Sequence, residues 1–150
     1  MFEVMTFLKE SNAIEGIVTT KHEEHVHVQK FLSFKAVTSY DLEQYVALVS
    51  LDARLRSLPG MDVTVGGYTP PMGGTRVAVQ LSELMTSVNL HPDQYHTHHL
   101  QYERIHPFTD GNGRSGRLLW LWARLRCNAP PIHGLFLQQF YYDTLRHYHG

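Results

Sequence analysis

A single cysteine, Cys127, leaves the chain unable to close a disulfide on itself and fits a reducing compartment. Charge of neither sign dominates, since 13 Lys and Arg stand against 14 Asp and Glu, for a net charge of −1. Electrostatics therefore imply no nucleic acid and no anionic membrane as partners. Long apolar runs are missing too: the longest, LLWLWA, falls far short of the roughly 20 residues of a spanning helix. The first stretch, MFEVMTFLKESNAIEG, mixes Glu3, Lys9 and Glu10 among apolar residues and lacks a small-residue cleavage site, so it does not read as a signal peptide. Internal repeats and low-complexity tracts are absent. What remains is one soluble, cytoplasmic domain over residues 1–150, whose 43% hydrophobic content suffices for a single core.

Most of the chain carries a helical pattern. A first helix is expected over residues 3–15, stopped by Gly16, and a second over His22 to Val37. Asp41 to Ser57 follows, with Leu42, Tyr45, Val46, Val49 and Leu55 at helical spacing, Asp41 as the cap and Pro59-Gly60 as the stop. Asp62 to Val79 changes character. Its β-branched residues around a Gly/Pro-rich centre read as an extended β-hairpin or flap. VQLSELMTSV returns to helix, and another starts at His91-Pro92 and runs to about Arg104. Gly113 to Arg126 has the clearest pattern, with Leu118, Leu121, Trp122 and Leu125 in one stripe. A last helix is expected near Leu137–His147. The expected fold is all-α with a projecting β-hairpin flap.

The chemistry concentrates in HPFTDGNGRSGR, His106 to Arg117, which packs one histidine, one carboxylate, three glycines and two arginines into twelve residues. GNGRSG fits G-x-G-x-x-G, yet no apolar strand precedes it and no acid follows at the offset a dinucleotide site needs. The companion motifs of a protein kinase and the P-loop lysine are absent as well. An anion site remains. Gly111 and Gly113 let successive N–H groups turn toward one point, and the helix behind them adds its positive end. Arg114 and Arg117, three apart, can share a helix face, each able to grip phosphate oxygens in pairs. Asp110 would repel a bare phosphate and so asks for a metal, for which Mg²⁺ is the natural choice. His106 is the group near this cluster that can accept a proton at neutral pH. Together these groups suit phosphoryl or nucleotidyl transfer.

The stretch resembles the signature of the Fic (filamentation induced by cAMP) family, H-x-F-x-[DE]-G-N-G-R-x-x-R, at every fixed position. VTVGGYTPPMGG resembles the family's hairpin, HHLQYERIHPF its helix before the motif, and FYYDTL its closing helix. The family often carries an arginine just before the hairpin; Met61-Asp62 stand there in this chain. The resemblance implies a protein adenylyltransferase that moves AMP from ATP to a Ser, Thr or Tyr hydroxyl. His106 would be the base and Asp110 the ligand of Mg²⁺, or of Mn²⁺. Gly111, Asn112 and Gly113 would cradle the phosphates, Arg114 and Arg117 would bind them, and Phe108 would point into the core. Val63, Thr64, Val65, Gly66 and Gly67 of the flap would hold a target protein by strand pairing. Tyr141 or Tyr142 would line the adenine pocket or pack in the core.

SNAIEG, Ser11 to Gly16, resembles the family's inhibitory pattern [ST]-x-x-x-E-[GN]. By that resemblance Glu15 pairs with Arg117 in the place of the γ-phosphate, with residues 1–16 as an N-terminal inhibitory helix that carries Ser11, Glu15 and Gly16. Two other readings stay open: hydrolysis of AMP from a modified protein at the same site, and a non-catalytic nucleotide-responsive interaction module. A homodimer is compatible with the sequence. The 11 histidines do not make a metal site, because HEEHVH lacks the second histidine of H-E-x-x-H and the ligand spacing of His96, His98 and His99 is not sustained. His99 is expected to support the motif loop by hydrogen bonding.

Overall fold

The computed structural model describes residues 4–129. Over that span the chain forms six α-helices: α1 (Val4–Ile14), α2 (His22–Ser33), α3 (Ser39–Val49), α4 (Thr75–Leu90), α5 (Tyr95–Ile105) and α6 (Asn112–Arg126). A short 3₁₀ turn, Pro92–Gln94, leads into α5. The expected helix near Leu137–His147 lies outside the described residues, as do Tyr141 and Tyr142. No described helix is long and apolar enough to cross a membrane.

Helix α6 is the axis. It packs against α1, α2, α3 and α5, and Leu118 through Ala123 are buried without a break. Six consecutive apolar residues cover every face of a helix, so a helix of this kind belongs inside a bundle. The expected one-sided stripe is therefore too narrow, and its last member, Leu125, is 42% exposed. Trp120 and Trp122 are both in the core, and the Trp122 indole donates to the Phe34 carbonyl at 2.9 Å.

Helix α3 begins two residues before the expected Asp41 and ends well short of Ser57. Its cap is Thr38, whose hydroxyl accepts from Asp41 N, while the Asp41 carboxylate accepts from Thr38 N at 2.8 Å. Asp41 is thus the reciprocal member of a capping box, three residues inside the cap. The helix stops at Val49. Asp52 takes a left-handed backbone angle, and the chain then runs extended beside the motif loop. Arg56 N donates to Pro107 O at 2.8 Å and Thr109 N to Arg54 O at 2.9 Å, with Leu55 and Phe108 paired antiparallel between them. Leu55 therefore serves a short extended pairing, and its helical spacing from Val49 is coincidental.

The flap segment is also more compact than expected. Val65 and Tyr68 exchange backbone hydrogen bonds around Gly66-Gly67, which makes a tight turn, and no longer ladder flanks it. Thr75–Val79 belongs to α4, because Val77, Leu81, Leu84 and Val88 recur at helical spacing and are all buried. The legs of the segment close so tightly that a Cβ on Gly73 would lie 2.6 Å from Met61 O. Only glycine fits there.

Candidate nucleotide-binding site

The motif loop is held rigidly before any ligand is considered. At the end of α5, His106 adopts the left-handed conformation (φ 48°), a strained choice for a residue with a side chain. Phe108 is fully buried and anchors the loop in the core. The Asn112 side chain closes it: Asn112 Oδ1 accepts from Phe108 N and Asn112 Nδ2 donates to Phe108 O, both at 2.8 Å. The Asn112 amide is thereby committed to the loop, and its backbone N–H is what it can offer a ligand. Gly111 (φ 80°) then starts α6, whose first N–H groups have no partner within the helix. Ser115, given no role by the sequence, donates to Gly111 O at 2.8 Å and meets the Tyr102 hydroxyl.

A cavity of about 670 Å³ opens over this loop. His106, Asp110, Gly111, Gly113 and Arg114 line one side, and Asp62, Val63, Thr64, Thr69 and Met72 the other. The structure thus brings the motif and both legs of the flap to one cavity. Val65, Gly66 and Gly67 form the turn at the tip and are not in its lining.

The electrostatics of the groups differ. Burial first, and the Arg56 guanidinium second, hold the His106 pKa below the usual histidine value, so the ring is neutral and can accept a proton at neutral pH. Asp110 is exposed, and the Ser50 hydroxyl that donates to its Oδ2 is the main cause of its lowered pKa. Among the described residues no group of three or more His, Cys, Asp or Glu side chains could hold a metal. A lone anionic carboxylate on the cavity wall fits a Mg²⁺ ion that takes its remaining oxygens from phosphates and water.

The two arginines point apart. Arg114 donates to Val49 O at 2.7 Å at the end of α3 and still lines the cavity. Arg117 faces α1. Its Nε donates to Ser11 Oγ at 2.8 Å, and its Nη2 donates to Ser11 O at 3.0 Å and to Glu15 Oε1 at 2.9 Å. Glu15 sits one residue past the end of α1, and Gly16 takes a left-handed angle (φ 73°) right after it. The Glu15 carboxylate lines the cavity where the guanidinium behind it does not. Gly113 makes this approach possible, since a Cβ there would lie 2.8 Å from Glu15 Oε1.

Residues 40–123 match the sequence model of the Fic/DOC family. The chain belongs to the Fic/DOC family. The match covers α3 to α6 and the motif loop, while α1, with Ser11 and Glu15, lies outside it. Two relatives named protein adenylyltransferase Fic, from Culex quinquefasciatus and Aedes aegypti, are each 26% identical over 96% of this chain. The relative of that name from Drosophila persimilis is 40% identical over 47% of the chain. The chain spans about a third of the length of the first two relatives.

Within this Fic domain, three residues near the site escaped the sequence reading. Ser50, at the end of α3, reaches Asp110 across 60 positions, and no local pattern marks it. Arg56 stands five positions before Met61, inside a stretch that read as helix. Glu103 lies one turn below His99, with its carboxylate 3.6 Å from His99 Nε2. Burial raises the Glu103 pKa against the pull of Arg117, and burial holds the His99 pKa down to about 4. The Gly116 backbone, on α6, raises the His99 pKa against burial, so His99 of α5 sits against the helix that follows the motif loop.

Proposed function

We propose that the chain is a protein adenylyltransferase domain that transfers AMP from ATP to a hydroxyl of a target protein and is restrained by Glu15. The observation that carries the reading is the pairing of Arg117 with Ser11 and Glu15 at the wall of a cavity that also holds His106 and Asp110. The names of the relatives supply the reaction class.

In this reading His106 takes the proton from a Ser, Thr or Tyr hydroxyl. The oxygen attacks the α-phosphorus, the bond to the bridging oxygen breaks, and pyrophosphate leaves with that electron pair. The phosphates rest on the N–H groups of α6 at Asn112 and Gly113, with Arg114 beside them. Asp110 would hold Mg²⁺, or Mn²⁺; when bound, the ion offsets phosphate charge and polarises the reacting group. The target segment lies along Val63 and Thr64 of the flap.

Glu15 restrains the site by holding the guanidinium a γ-phosphate would use. Its side chain is 39% exposed, so solvent weakens the pair. Such a pair is worth about 1–2 kcal/mol, roughly a five- to thirtyfold loss in ATP affinity. A second reading has one supporting observation: Glu15 faces the same cavity as His106. There its carboxylate could orient a water that removes AMP from a modified protein.

The test uses α-labelled ATP with Mg²⁺ and compares the wild type, Glu15→Gly, and Glu15→Gly with His106→Ala. Label on protein in Glu15→Gly alone supports the transferase, its restraint and its base together. Release of AMP from an adenylylated protein by the wild type, with no labelling by Glu15→Gly, would replace it with the hydrolase. ATP binding without either activity would leave the interaction module.

A further inference from the structure

Arg56 is fully buried, an expensive place for a charge. Its guanidinium donates to four carbonyl oxygens. Two belong to the end of α5 and the motif: His106 O at 2.7 Å and Ile105 O at 2.8 Å. The other two belong to the two legs of the flap: Pro71 O at 2.8 Å and Met61 O at 3.1 Å. Its backbone repeats the pattern, with Arg56 N donating to Pro107 O at 2.8 Å and Arg56 O accepting from Gly74 N at 2.9 Å. Each group that bonds this residue lies in the motif region or at the base of the flap. The Asp62 carboxylate, on the flap's first leg, supports the charge from nearby.

An apolar residue could fill this space without a buried charge, and a single turn does not need five N–H donors. What the guanidinium adds is connection. It is one rigid plane, so its donors cannot move independently. A shift of Met61 and Pro71 moves the plane, and the plane holds the carbonyl of His106. That carbonyl belongs to a residue kept in a strained left-handed conformation. A small change in restraint there is enough to re-aim the imidazole.

We propose that Arg56 is a positioning residue that couples the flap to His106, so that a protein segment seated along Val63 and Thr64 sets the orientation of the histidine. The base is then fully aligned only when an acceptor is in place, which disfavours wasteful attack by water. The inference deepens the transferase reading and rests on its assignment of His106.

The experiment uses the full chain and needs no transfer activity. The His106 ring signals are followed by NMR, and amide exchange is followed over residues 61–74 and 105–109. Arg56→Lys keeps the charge and loses the fork. We expect it to remain folded, to exchange about tenfold faster in both segments together, and to leave α6 protected. The coupling itself is read with Gly66→Val, which strains the flap tip (φ 53°) in open space, away from the motif. Gly66→Val should shift the His106 signals when Arg56 is present and leave them unmoved in Arg56→Lys. In the Glu15→Gly background, Arg56→Lys should lower kcat with KM for ATP within about twofold, because phosphate binding does not use the flap.

Unmoved His106 signals in Gly66→Val overturn the coupling, and they do so even if Arg56→Lys fails to fold. Loosening of only one of the two segments in a folded Arg56→Lys overturns it as well. Coupling seen by NMR without labelling by Glu15→Gly would sink the transferase reading alone. Labelling without coupling would sink this inference alone.

Discussion

Arg117 Nε and the Ser11 hydroxyl meet at 2.8 Å across 106 residues of sequence. The contact joins α1 to α6 and shares the guanidinium with Glu15. Ser11 is fully buried while Glu15 is substantially exposed. The serine therefore holds the geometry and the glutamate supplies the charge.

This division predicts different outcomes for the two side chains. Ser11→Ala removes one hydrogen bond to a charged donor and keeps the Ser11 carbonyl and Glu15 in place. ATP affinity should rise about threefold to tenfold, and stability should fall by about 1 kcal/mol. Glu15→Gln keeps the shape and removes the charge, so ATP affinity should rise with little change in melting temperature. Calorimetric titration with ATP, paired with thermal unfolding, separates the two. An unchanged affinity in both variants would remove α1 from the control of this site.

Asn112 should be far less tolerant than its place in a glycine-rich turn suggests. Asn112→Ala leaves the buried Phe108 N–H and C=O without their partners. Two such losses cost about 2–4 kcal/mol, against a typical total of about 5–15 kcal/mol. Asn112→Asp keeps the acceptor and loses the donor, so it should fall between wild type and alanine. Chemical unfolding of the three proteins gives the order directly. Equal stability of alanine and wild type would mean that the loop does not depend on this amide.

Much of this architecture could be read from the sequence, and what was missed shares a physical cause. Gly16 marked the end of α1 and His91-Pro92 the start of α5, and helical spacing gave α3, α4 and α6, whose apolar residues face a core. Spacing failed at Leu55, where two extended segments far apart in sequence pair with each other. Local pattern cannot report such a pairing. The motif placed His106, Asp110 and the two glycines at one cavity, since twelve consecutive residues around a helix start cannot disperse. Ser50 and Arg56 act on those residues from other elements, so their roles depend on tertiary contacts that no spacing encodes. The flap was legible as a Gly/Pro-rich excursion, but its length was overstated, because β-branched residues in Thr75–Val79 serve a helix here.

Acid should unfold the domain at a pH set partly by its histidines. Burial is the largest cause holding His27, His98, His99 and His106 below the ordinary value of 6.5. The unfolded chain binds these protons more readily than the folded one, so stability rises with pH across this range. The contribution is complete above pH 6.5 and is lost as pH falls through the folded values, which for His99 means down to about 4. His99 is well buried, and its part alone amounts to about 3 kcal/mol. His99→Gln removes this titration and should flatten the stability profile between pH 6.5 and 4. Parallel profiles for mutant and wild type would contradict a buried neutral imidazole at this position.

Glu103 offers the finest test of the charge balance around Arg117. Burial raises its pKa, Arg117 lowers it and Glu15 raises it, so two carboxylates act in the field of one guanidinium. Its folded pKa lies above the unfolded value. The stability this provides is therefore present below the unfolded pKa and is lost as pH rises through the folded one. At neutral pH the ionised Glu103 is a net burden, and Glu103→Gln should stabilise the domain there and not at pH 4. The same charge opposes any anion placed on Arg117. In Glu15→Gly, Glu103→Gln should tighten ATP binding by roughly two- to fivefold, the scale of one solvent-weakened charge interaction. With Glu15 present the gain should shrink, because the competing carboxylate is relieved of the same repulsion. A double-mutant cycle in ATP affinity measures the difference. Equal gains in both backgrounds would mean that Glu103 does not act on Arg117, and that the two carboxylates do not share it.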